Sequence, residues 1–344
     1  MALAMRAVVC RPHEIDWAEP QPRHDRRTVI PDQDMQAAVA AIRRGELVGM
    51  PTETVYGLAA DALNPEAVVR IFAAKGRPRF DPLIVHIADP DWAWQIAEPS
   101  PRAQRLAAAC WPGPLTLVLK RQPIVPDVVT SGLETVGVRC PDHELARALI
   151  RICGTPLAAP SANPFGRISP TTAAHVREQL GSQVAVVLDG GPCRVGIEST
   201  VLLPDPHPVI LRPGGLTRER LEEILGEPVA VADSDGRASH LPKQAPGMLA
   251  SHYAPRKPLI LLPPGATWPG DATVGILAFR NATPHPHREV LSRTGDLAEA
   301  ATNLFAALRR LDASPATRLM AEMVPDEGLG LAINDRLLRA AGLG

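Results

Sequence analysis

The sequence predicts a layered α/β fold, a sheet flanked by helices, followed by a second and smaller α/β domain. Short β-branched and apolar segments alternate with single segments of helical period from about residue 31 to residue 231, which is the pattern of such a sheet. The chain has 344 residues, more than one hydrophobic core usually organises. The pattern breaks over residues 232–258, which are polar and rich in proline, and we interpret this stretch as a linker.

The first 30 residues are rich in proline, arginine and histidine and show no period, so we expect a loosely attached N-terminal extension. Met35 and Ile42 then lie on one face of a predicted helix that stops at Gly45. A short buried strand is predicted over residues 47–50.

Clear end signals mark the next helix. Asn64 can cap it, Pro65 occupies its first position and Gly76 ends it. Later helices are predicted from Ser100, over residues 142–153 and from Thr171. Further strands are predicted over residues 83–87, 115–119, 136–138, 157–159, 184–188 and 200–203.

The predicted organisation is therefore an extension over residues 1–30, a main domain over 31–231, a linker over 232–258 and a second domain over 259–344. The second domain has predicted strands at residues 259–262 and 274–278 and a long helix starting near Asp296. Leucines and Phe305 form a continuous apolar stripe along that helix.

Composition excludes several classes of protein. The formal net charge is −1, so the molecule as a whole is not a basic nucleic-acid coat. The five cysteines include no C-x-x-C pair, which argues against a disulfide framework and a structural zinc site. No apolar run approaches the ~18 residues of a membrane span. We expect a cytoplasmic protein that does not contact a membrane.

Polar residues collect where predicted strands end. Residues 51–57 place the hydroxyls of Thr52 and Thr54 directly after the strand at 47–50, and open α/β sheets bind ligands beyond their strand ends. A turn satisfied by threonine side chains is the alternative interpretation.

Three cations lie close together at the end of the helix that stops at Gly76. Lys75 is on its last turn, and Arg77 and Arg79 follow on a loop stiffened by prolines, and cations on such a loop suit a triphosphate. Stabilisation of the helix C-terminus is the alternative for one of them.

Arg139 and Arg212 each stand at the end of a predicted strand, where an arginine can hold a carboxylate. A surface ion pair is the alternative for Arg139. Residues 158–170 and 190–200 contain small polar residues and glycines, and backbone N–H groups in such loops can cradle an anion.

No phosphate-binding P-loop, zinc-protease motif or nucleophile elbow is present in the sequence. Hydroxyls, amides and cations at strand ends, without an obvious covalent nucleophile, suit nucleotidyl transfer, which depends on positioning and charge neutralisation. The glycines of residues 328–333 lack a preceding strand, and we interpret them as structural.

Several of these motifs, in this order, resemble the YrdC-like domain of the threonylcarbamoyl-AMP synthases. They are Pro51-Thr-Glu-Thr-Val-Tyr-Gly-Leu58, Lys75-x-Arg77 with Pro82-Leu83, Ser161-Ala-Asn163 and Ile197-Glu-Ser-Thr200. Ser251-His-Tyr-Ala-Pro255 and Glu327-Gly-Leu-Gly-Leu-Ala-Ile-Asn-Asp-Arg336 are similar to the linker and C-terminal domain of the two-domain branch. The resemblance implies a mixed, twisted YrdC-like sheet and a Rossmann-like second domain.

The resemblance also implies a reaction. Such an enzyme forms threonylcarbamoyl-AMP and pyrophosphate from L-threonine, bicarbonate or CO2, and ATP. Mg²⁺ would arrive with ATP, and no protein side chain is assigned to the metal. A downstream tRNA threonylcarbamoyl transferase would use the product to modify an adenosine, and the enzyme would touch tRNA weakly.

Matched position by position, the resemblance assigns catalytic roles to Lys75 and Arg77, which would neutralise phosphate charge. The implied threonine contacts are Thr54, His86, Arg139, the backbone of Ala159, and Ser199. The implied ATP contacts are Arg77, Asp81, Thr135, Ser161, Asn163, Ser169, Arg212 and Tyr253, the last on a linker that would act as a lid.

Asp81 departs from the family, which usually has asparagine there. A carboxylate beside a triphosphate is repulsive unless Arg79 pairs with it or it helps to hold the metal. His86 has a second interpretation as a satisfied core histidine, and Tyr253 as a packing anchor for the linker.

Two other functions compete with this one. A non-catalytic RNA-binding module of the same fold would contact phosphates without threonine specificity, and its binding would depend steeply on salt. Carbamoyl-adenylate chemistry of the hydrogenase-maturation type needs cysteine zinc modules, which the sequence lacks, so we discount it.

Overall fold

The computed structural model describes residues 33–232, 252–281 and 284–343. The predicted extension over residues 1–30 and residues 233–251 of the predicted linker lie outside this part of the chain. The structure confirms the predicted fold class, a large mixed sheet with helices and a second, smaller sheet. The predicted domain limits stay a prediction.

Ten strands of the described chain form the main sheet. They are β1 (Val48–Met50), β2 (Gly57–Asp61), β3 (Ile84–His86), β4 (Leu115–Lys120), β5 (Thr135–Arg139), β6 (Leu157–Ala158), β7 (Val186–Val187), β8 (Thr200–Leu203), β9 (Val209–Arg212) and β10 (Ala230–Val231). Their order across the sheet is β10-β9-β8-β4-β5-β3-β6-β2-β1-β7. The sheet is mixed, with parallel pairs such as β3 with β5 and antiparallel pairs such as β4 with β5.

Helices of the same region are α1 (Gln33–Arg43), α2 (Pro65–Lys75), α3 (Ala93–Ile96), α4 (Pro101–Cys110), α5 (Asp127–Thr130), α6 (Glu144–Cys153), α7 (Ala173–Leu180) and α8 (Arg218–Leu225). The end signals of α2 act as predicted. Asn64 Oδ1 accepts the backbone N–H of Glu66 at 3.1 Å, and Gly76 ends the helix with φ 61°, a left-handed conformation that glycine adopts without strain.

The second sheet has four parallel strands in the order β11 (Leu259–Leu262), β14 (Arg318–Glu322), β12 (Val274–Ala278) and β13 (Arg288–Val290). The predicted long helix is α9 (Leu297–Ala313), and Asp296 caps it. The last helix, α10 (Gly330–Ala340), begins within the glycine-containing stretch that we interpreted as structural. A Cβ at Gly330 would lie 1.8 Å from the carbonyl oxygen of Pro325, so packing requires glycine there.

The two largest clusters of buried side chains account for most of the apolar core of the described residues. The larger lies within the first sheet and its helices. The second is shared, because Val55, Ile168 and Ile197 of the first region pack in one cluster with Tyr253 and Phe305. Burial of apolar surface stabilises folds by about 25 cal/mol per Å², so this cluster binds the second sheet firmly to the first.

Close backbone contact reinforces this junction. Gly196 has φ 76°, and a Cβ there would lie 2.4 Å from Thr302 Cα on α9. Thr302 Oγ1 also donates to the carbonyl oxygen of Arg194 at 2.8 Å. In the described part of the chain, no helix combines the length and apolarity that crossing a bilayer requires.

Candidate active site

Lys75 joins the end of α2 to the loop that follows β6. Its Nζ donates to the carbonyl oxygens of Ser161 and of Asn163, the latter at 2.5 Å. The side chain is buried. Burial and the neighbouring Arg77 together hold the pKa of Lys75 well below its usual range. The structure therefore brings together three of the predicted nucleotide contacts.

Arg77 is the partner of Asp81. The Arg77 Nη2 atom lies 2.9 Å from Asp81 Oδ2, and Arg77 Nε donates to the Asp81 carbonyl oxygen at 3.1 Å. Arg79, which we considered as the partner, is exposed instead, because it lies outside the turn that the two buried residues close. Burial raises the pKa of Asp81, and Arg77 and Lys75 oppose that rise. The carboxylate thus balances part of the charge of two buried cations.

His86 and Arg139 occupy paired positions of the adjacent parallel strands β3 and β5. Both side chains are buried. Burial, followed by the charge of Arg139, lowers the pKa of His86 to about 3. The imidazole is therefore neutral. Its Nδ1 lies 3.3 Å from the carbonyl oxygen of Ile84, and because a carbonyl can only accept, we assign the proton to Nδ1.

Arg139 also has a partner that the sequence analysis did not assign to the site. Its Nη2 lies 2.7 Å from Glu53 Oε1, and the exposed fractions of the two side chains are 4% and 0%. Its Nε donates to the carbonyl oxygen of Gly113 at 3.3 Å. Arg139 therefore does form an ion pair, but this pair is buried, whereas the alternative interpretation was a pair on the surface. Glu53 lies in the motif Pro51-Thr-Glu-Thr-Val-Tyr-Gly-Leu58, and its place there is the signal that could have identified it as a site residue.

Hydroxyl groups of the predicted threonine set are hydrogen-bonded to neighbours. Thr54 Oγ1 lies 2.9 Å from Thr52 Oγ1, and Ser199 Oγ lies 2.8 Å from Thr116 Oγ1. Arg212 donates to the carbonyl oxygen of Ser199 at 2.8 Å and to its hydroxyl at 3.3 Å. This contact joins a predicted threonine residue directly to a predicted ATP residue.

The backbone of Ala159, a predicted contact of threonine, already makes a hydrogen bond within the sheet. The N–H of Ala159 donates to the carbonyl oxygen of Ile84 at 3.0 Å, so a ligand would meet other atoms of Ala159. Thr135 begins β5 and is only partly buried. It lies four residues before Arg139, so the two-residue alternation of a strand places both on the same face of the sheet.

Polar side chains of the loop after β6 are bonded within the fold. Asn163 Nδ2 donates to the carbonyl oxygens of Pro164 and Arg167, at 2.8 and 2.9 Å. Its Oδ1 is buried, and no donor in the described residues reaches it. Ser169 Oγ donates to Glu198 Oε1 at 2.5 Å. This loop therefore presents an unused acceptor beside Lys75.

Arg336 of α10 reaches into the first domain. It is fully buried, and its Nε lies 2.8 Å from Glu198 Oε2. Burial alone would raise the pKa of Glu198, but Arg336 and Arg212 outweigh it and hold that pKa below its usual range. Arg336 ends the C-terminal motif that carries the resemblance, and the sequence alone predicted no role for it.

Tyr253 lies between the two sheets. Its ring packs 5.6 Å from that of Phe305, and the Arg336 guanidinium carbon lies 5.1 Å from its centroid. Burial raises the pKa of Tyr253, so the phenol stays protonated, and its hydroxyl has no hydrogen-bond partner among the described residues. The ring thus packs as an anchor for the linker would, and the hydroxyl remains available to a ligand, so the contact of Tyr253 with ATP stays a prediction.

The arrangement favours charge stabilisation over covalent catalysis. Cys140 and Cys193 are buried near Glu53 and Arg139, and burial raises the pKa of both thiols to about 12, which disfavours the nucleophilic thiolate. Within residues 33–232, 252–281 and 284–343, no three His, Cys, Asp or Glu side chains are grouped as a metal site would require.

Comparisons with known proteins extend over almost the whole chain. A family model described as telomere recombination matches residues 40–214, and one described as the C-terminal domain of threonylcarbamoyl-AMP synthase matches residues 216–342. A threonylcarbamoyl-AMP synthase of Bacillus subtilis (strain 168) is 43% identical over 329 residues, which cover 90% of this chain and 94% of that protein.

An archaeal relative agrees in sequence and in structure. The threonylcarbamoyl-AMP synthase of Pyrococcus abyssi (strain GE5 / Orsay) is 42% identical over 335 residues, covering 92% of this chain and 96% of that protein. The crystal structure of P. abyssi Sua5 complexed with L-threonine matches with a TM-score of 0.82 and covers 90% of this chain and 94% of that one. The similarity therefore includes both sheets and the residues that join them.

Proposed function

The chain belongs to the family of threonylcarbamoyl-AMP synthases, and we propose that Arg139 and the Lys75–Arg77 cluster hold its two substrates side by side. The enzyme forms threonylcarbamoyl-AMP from L-threonine, bicarbonate and ATP. The contact between Ser199 and Arg212 supports the adjacency of the two binding sites, because each residue belongs to a different predicted set.

In the threonine half, Arg139 receives the substrate carboxylate. Glu53 holds one Nη atom of the guanidinium group and the Gly113 carbonyl accepts from Nε, which leaves the second Nη atom for a ligand. His86 carries its proton on Nδ1, so its Nε2 accepts a hydrogen bond from the threonine hydroxyl. Thr54 and Ser199 complete the polar wall of this half.

In the nucleotide half, Lys75 and Arg77 neutralise the phosphate groups. Burial lowers the pKa of Lys75, and nearby phosphate oxygens favour its protonated form, so ATP binding would raise this pKa again. Asn163 presents its unused Oδ1 on the same side. The neutral Tyr253 hydroxyl adds a donor to the nucleotide. Ser169 donates its hydroxyl proton to Glu198, so that hydroxyl can contribute only an acceptor.

The chemical step follows from this arrangement. The threonine amine combines with bicarbonate to give a carbamate and water. A carbamate oxygen then attacks the α-phosphorus atom of ATP, and the bond to pyrophosphate breaks. Because negative charge builds up on the leaving phosphates, fixed cations at Lys75 and Arg77 stabilise this transition state.

Mg²⁺ fits this site as a companion of ATP. It prefers oxygen ligands and is often held by few protein groups together with phosphates. The buried Oδ1 of Asn163, which lacks a donor from the described residues, and the carboxylate of Asp81 would hold it. When bound, it supplies further neutralisation of phosphate charge.

We also propose the cellular setting of the reaction. The product passes to a downstream tRNA threonylcarbamoyl transferase in the cytoplasm, and the synthase touches tRNA only weakly. A formal net charge of −1 supports weak contact, since tight RNA binding requires many cations. Relatives of 42–43% identity that are synthases favour catalysis over the RNA-binding alternative.

A direct test incubates the full chain with ATP, L-threonine and labelled bicarbonate. We expect a labelled, acid-labile adenylate and an equal amount of pyrophosphate. Omission of threonine should abolish both products. Binding of ATP and threonine without a labelled adenylate would refute the proposed arrangement for catalysis.

A further inference from the structure

A cavity of 480 Å³ lies at the junction of the two sheets, apart from the residues assigned above. Its walls are the loop after β6, helix α7, the end of the linker and the last turn of α9. Four arginines contribute to the lining, namely Arg167, Arg256, Arg309 and Arg310. The volume is in the range of small-molecule sites.

Two of these arginines already have acidic partners. Arg256 Nε lies 3.7 Å from Asp312, and Arg310 Nη2 lies 2.8 Å from Glu289. Their charges are therefore largely balanced within the fold. Arg256 and Arg310 therefore add little to the positive electrostatic potential inside the cavity.

Arg309 and Arg167 differ, because they contact neutral acceptors. Arg309 Nη2 donates to the carbonyl oxygen of Ile168 at 2.5 Å and to Gln179 Oε1 at 2.7 Å. Its buried Nε has no acceptor within the described residues. Arg167 makes one long hydrogen bond, 3.4 Å, to the carbonyl oxygen of Pro255.

Arg309 is partly buried and has no carboxylate within ion-pair distance among the described residues. Burial lowers its pKa to about 10, with the acids Glu178 and Asp312 too weakly coupled to compensate. A desolvated cation without a paired anion is unfavourable in a folded protein. Two buried guanidinium groups elsewhere are paired with carboxylates, Arg139 with Glu53 and Arg336 with Glu198.

We propose that this junction cavity is an anion site in which Arg309 and Arg167 bind a phosphate group. Guanidinium groups offer planar pairs of donors that match phosphate oxygens. The phosphate is either a free ion or part of an RNA backbone, since both present the same oxygens. His175 on the wall is neutral, because burial and Arg309 lower its pKa to about 4. Glu178 and Asp312 also line the cavity, and they are the negative charges that the arginines must outweigh.

The junction cavity is separate from the reaction site, but its lining residues contact the backbone next to predicted ATP-binding residues. Arg309 holds the carbonyl of Ile168, whose neighbour Ser169 belongs to the predicted ATP set. Ala254, also on the cavity wall, follows Tyr253. The anion would therefore bind where the two sheets meet, beside the backbone that carries nucleotide contacts.

The test uses the full chain with threonine and a non-hydrolysable ATP analogue filling the reaction site. Inorganic phosphate is titrated by calorimetry, and a short single-stranded RNA by fluorescence anisotropy. The variants are Arg167→Gln, which changes an exposed side chain, Arg309→Gln, and Arg309→Lys, which keeps the charge. Arg218→Gln on α8 is the matched control, because that exposed arginine lies on a helix packed against α4.

We expect Arg167→Gln and Arg309→Gln each to weaken the binding of one probe at least about tenfold, the effect of losing a charge-assisted contact. Arg309→Lys should lose less, and Arg218→Gln should match wild type. An effect on free phosphate identifies the small ion as the ligand, and an effect on RNA alone identifies the backbone. The proposal fails if wild type binds neither probe, or if Arg167→Gln binds both as wild type does.

Discussion

Glu53 Oε1 lies 2.7 Å from Arg139 Nη2, and the two side chains form an ion pair that solvent barely reaches. The pair joins the loop after β1 to the end of β5. Two buried opposite charges fix each other's orientation, because either charge alone would be strongly disfavoured. The position of the proposed carboxylate-binding group is therefore set by an acid that need not touch the substrate.

Glu53→Gln should reduce threonine affinity. The amide keeps the shape of the carboxylate but removes its charge, so the guanidinium group loses its fixed orientation. We expect a loss of about 1–3 kcal/mol in threonine binding, with ATP affinity close to that of wild type. Calorimetric titrations with each substrate measure the two effects separately.

Arg139→Ala is the comparison for that experiment and should remove threonine binding more completely. Thermal denaturation of both variants shows whether the fold survives. Threonine affinity equal to that of wild type in Glu53→Gln would mean that Arg139 is oriented by other contacts, such as the Gly113 carbonyl.

Lys75→Ala and Arg77→Ala should each slow pyrophosphate release. Each variant removes a charge-assisted contact to phosphate, typically ~1.5–3 kcal/mol, or roughly 10-fold to 150-fold in rate. Arg79→Ala is the matched control, because this arginine lies on the same loop but is exposed. Similar slowing in all three variants would point to a general loss of positive charge instead of specific contacts.

Replacing Arg336 should weaken both the fold and nucleotide binding. Arg336→Met fills the space but leaves Glu198 buried without its main cation, a change that costs about 3–5 kcal/mol when a buried pair is broken. Chemical denaturation measures the loss. In the double variant Arg336→Met with Glu198→Gln, most of the stability should return, and an additive loss would argue against the pair.

His86 should make stability depend on pH. Burial lowers its pKa from 6.5 to about 3, so between these values the unfolded chain binds a proton that the folded chain does not. The free energy of unfolding should therefore fall as pH decreases from 6.5 toward 3. Denaturation across this window should show a shallower slope for His86→Gln, and an unchanged slope would mean that His86 is protonated in the fold.

Local signals allowed the sequence to predict much of the fold. Asn64, Pro65 and Gly76 mark the ends of α2 without reference to the rest of the chain, and Asp296 does the same for α9. Strand β2 was not predicted, because residues 57–61 are mostly small and have low strand propensity. It exists because it pairs with β1 and β6.

Long-range pairing explains what the sequence could not predict in the site. Arg79 and Arg77 look equivalent as neighbours of Asp81, and only the turn decides that Arg77 is buried against it. Glu53 and Arg336 each have a partner far along the chain. Neither residue has a local pattern that would identify that partner.

The apolar cluster shared by the two sheets also affects how the protein is made. Val55, Ile168 and Ile197 are synthesised well before Phe305 and the rest of α9, which cover them in the finished molecule. Domains generally fold in order as a chain leaves the ribosome. The growing polypeptide therefore passes through a stage in which a folded first domain exposes these apolar side chains to solvent, and such exposed surface promotes aggregation.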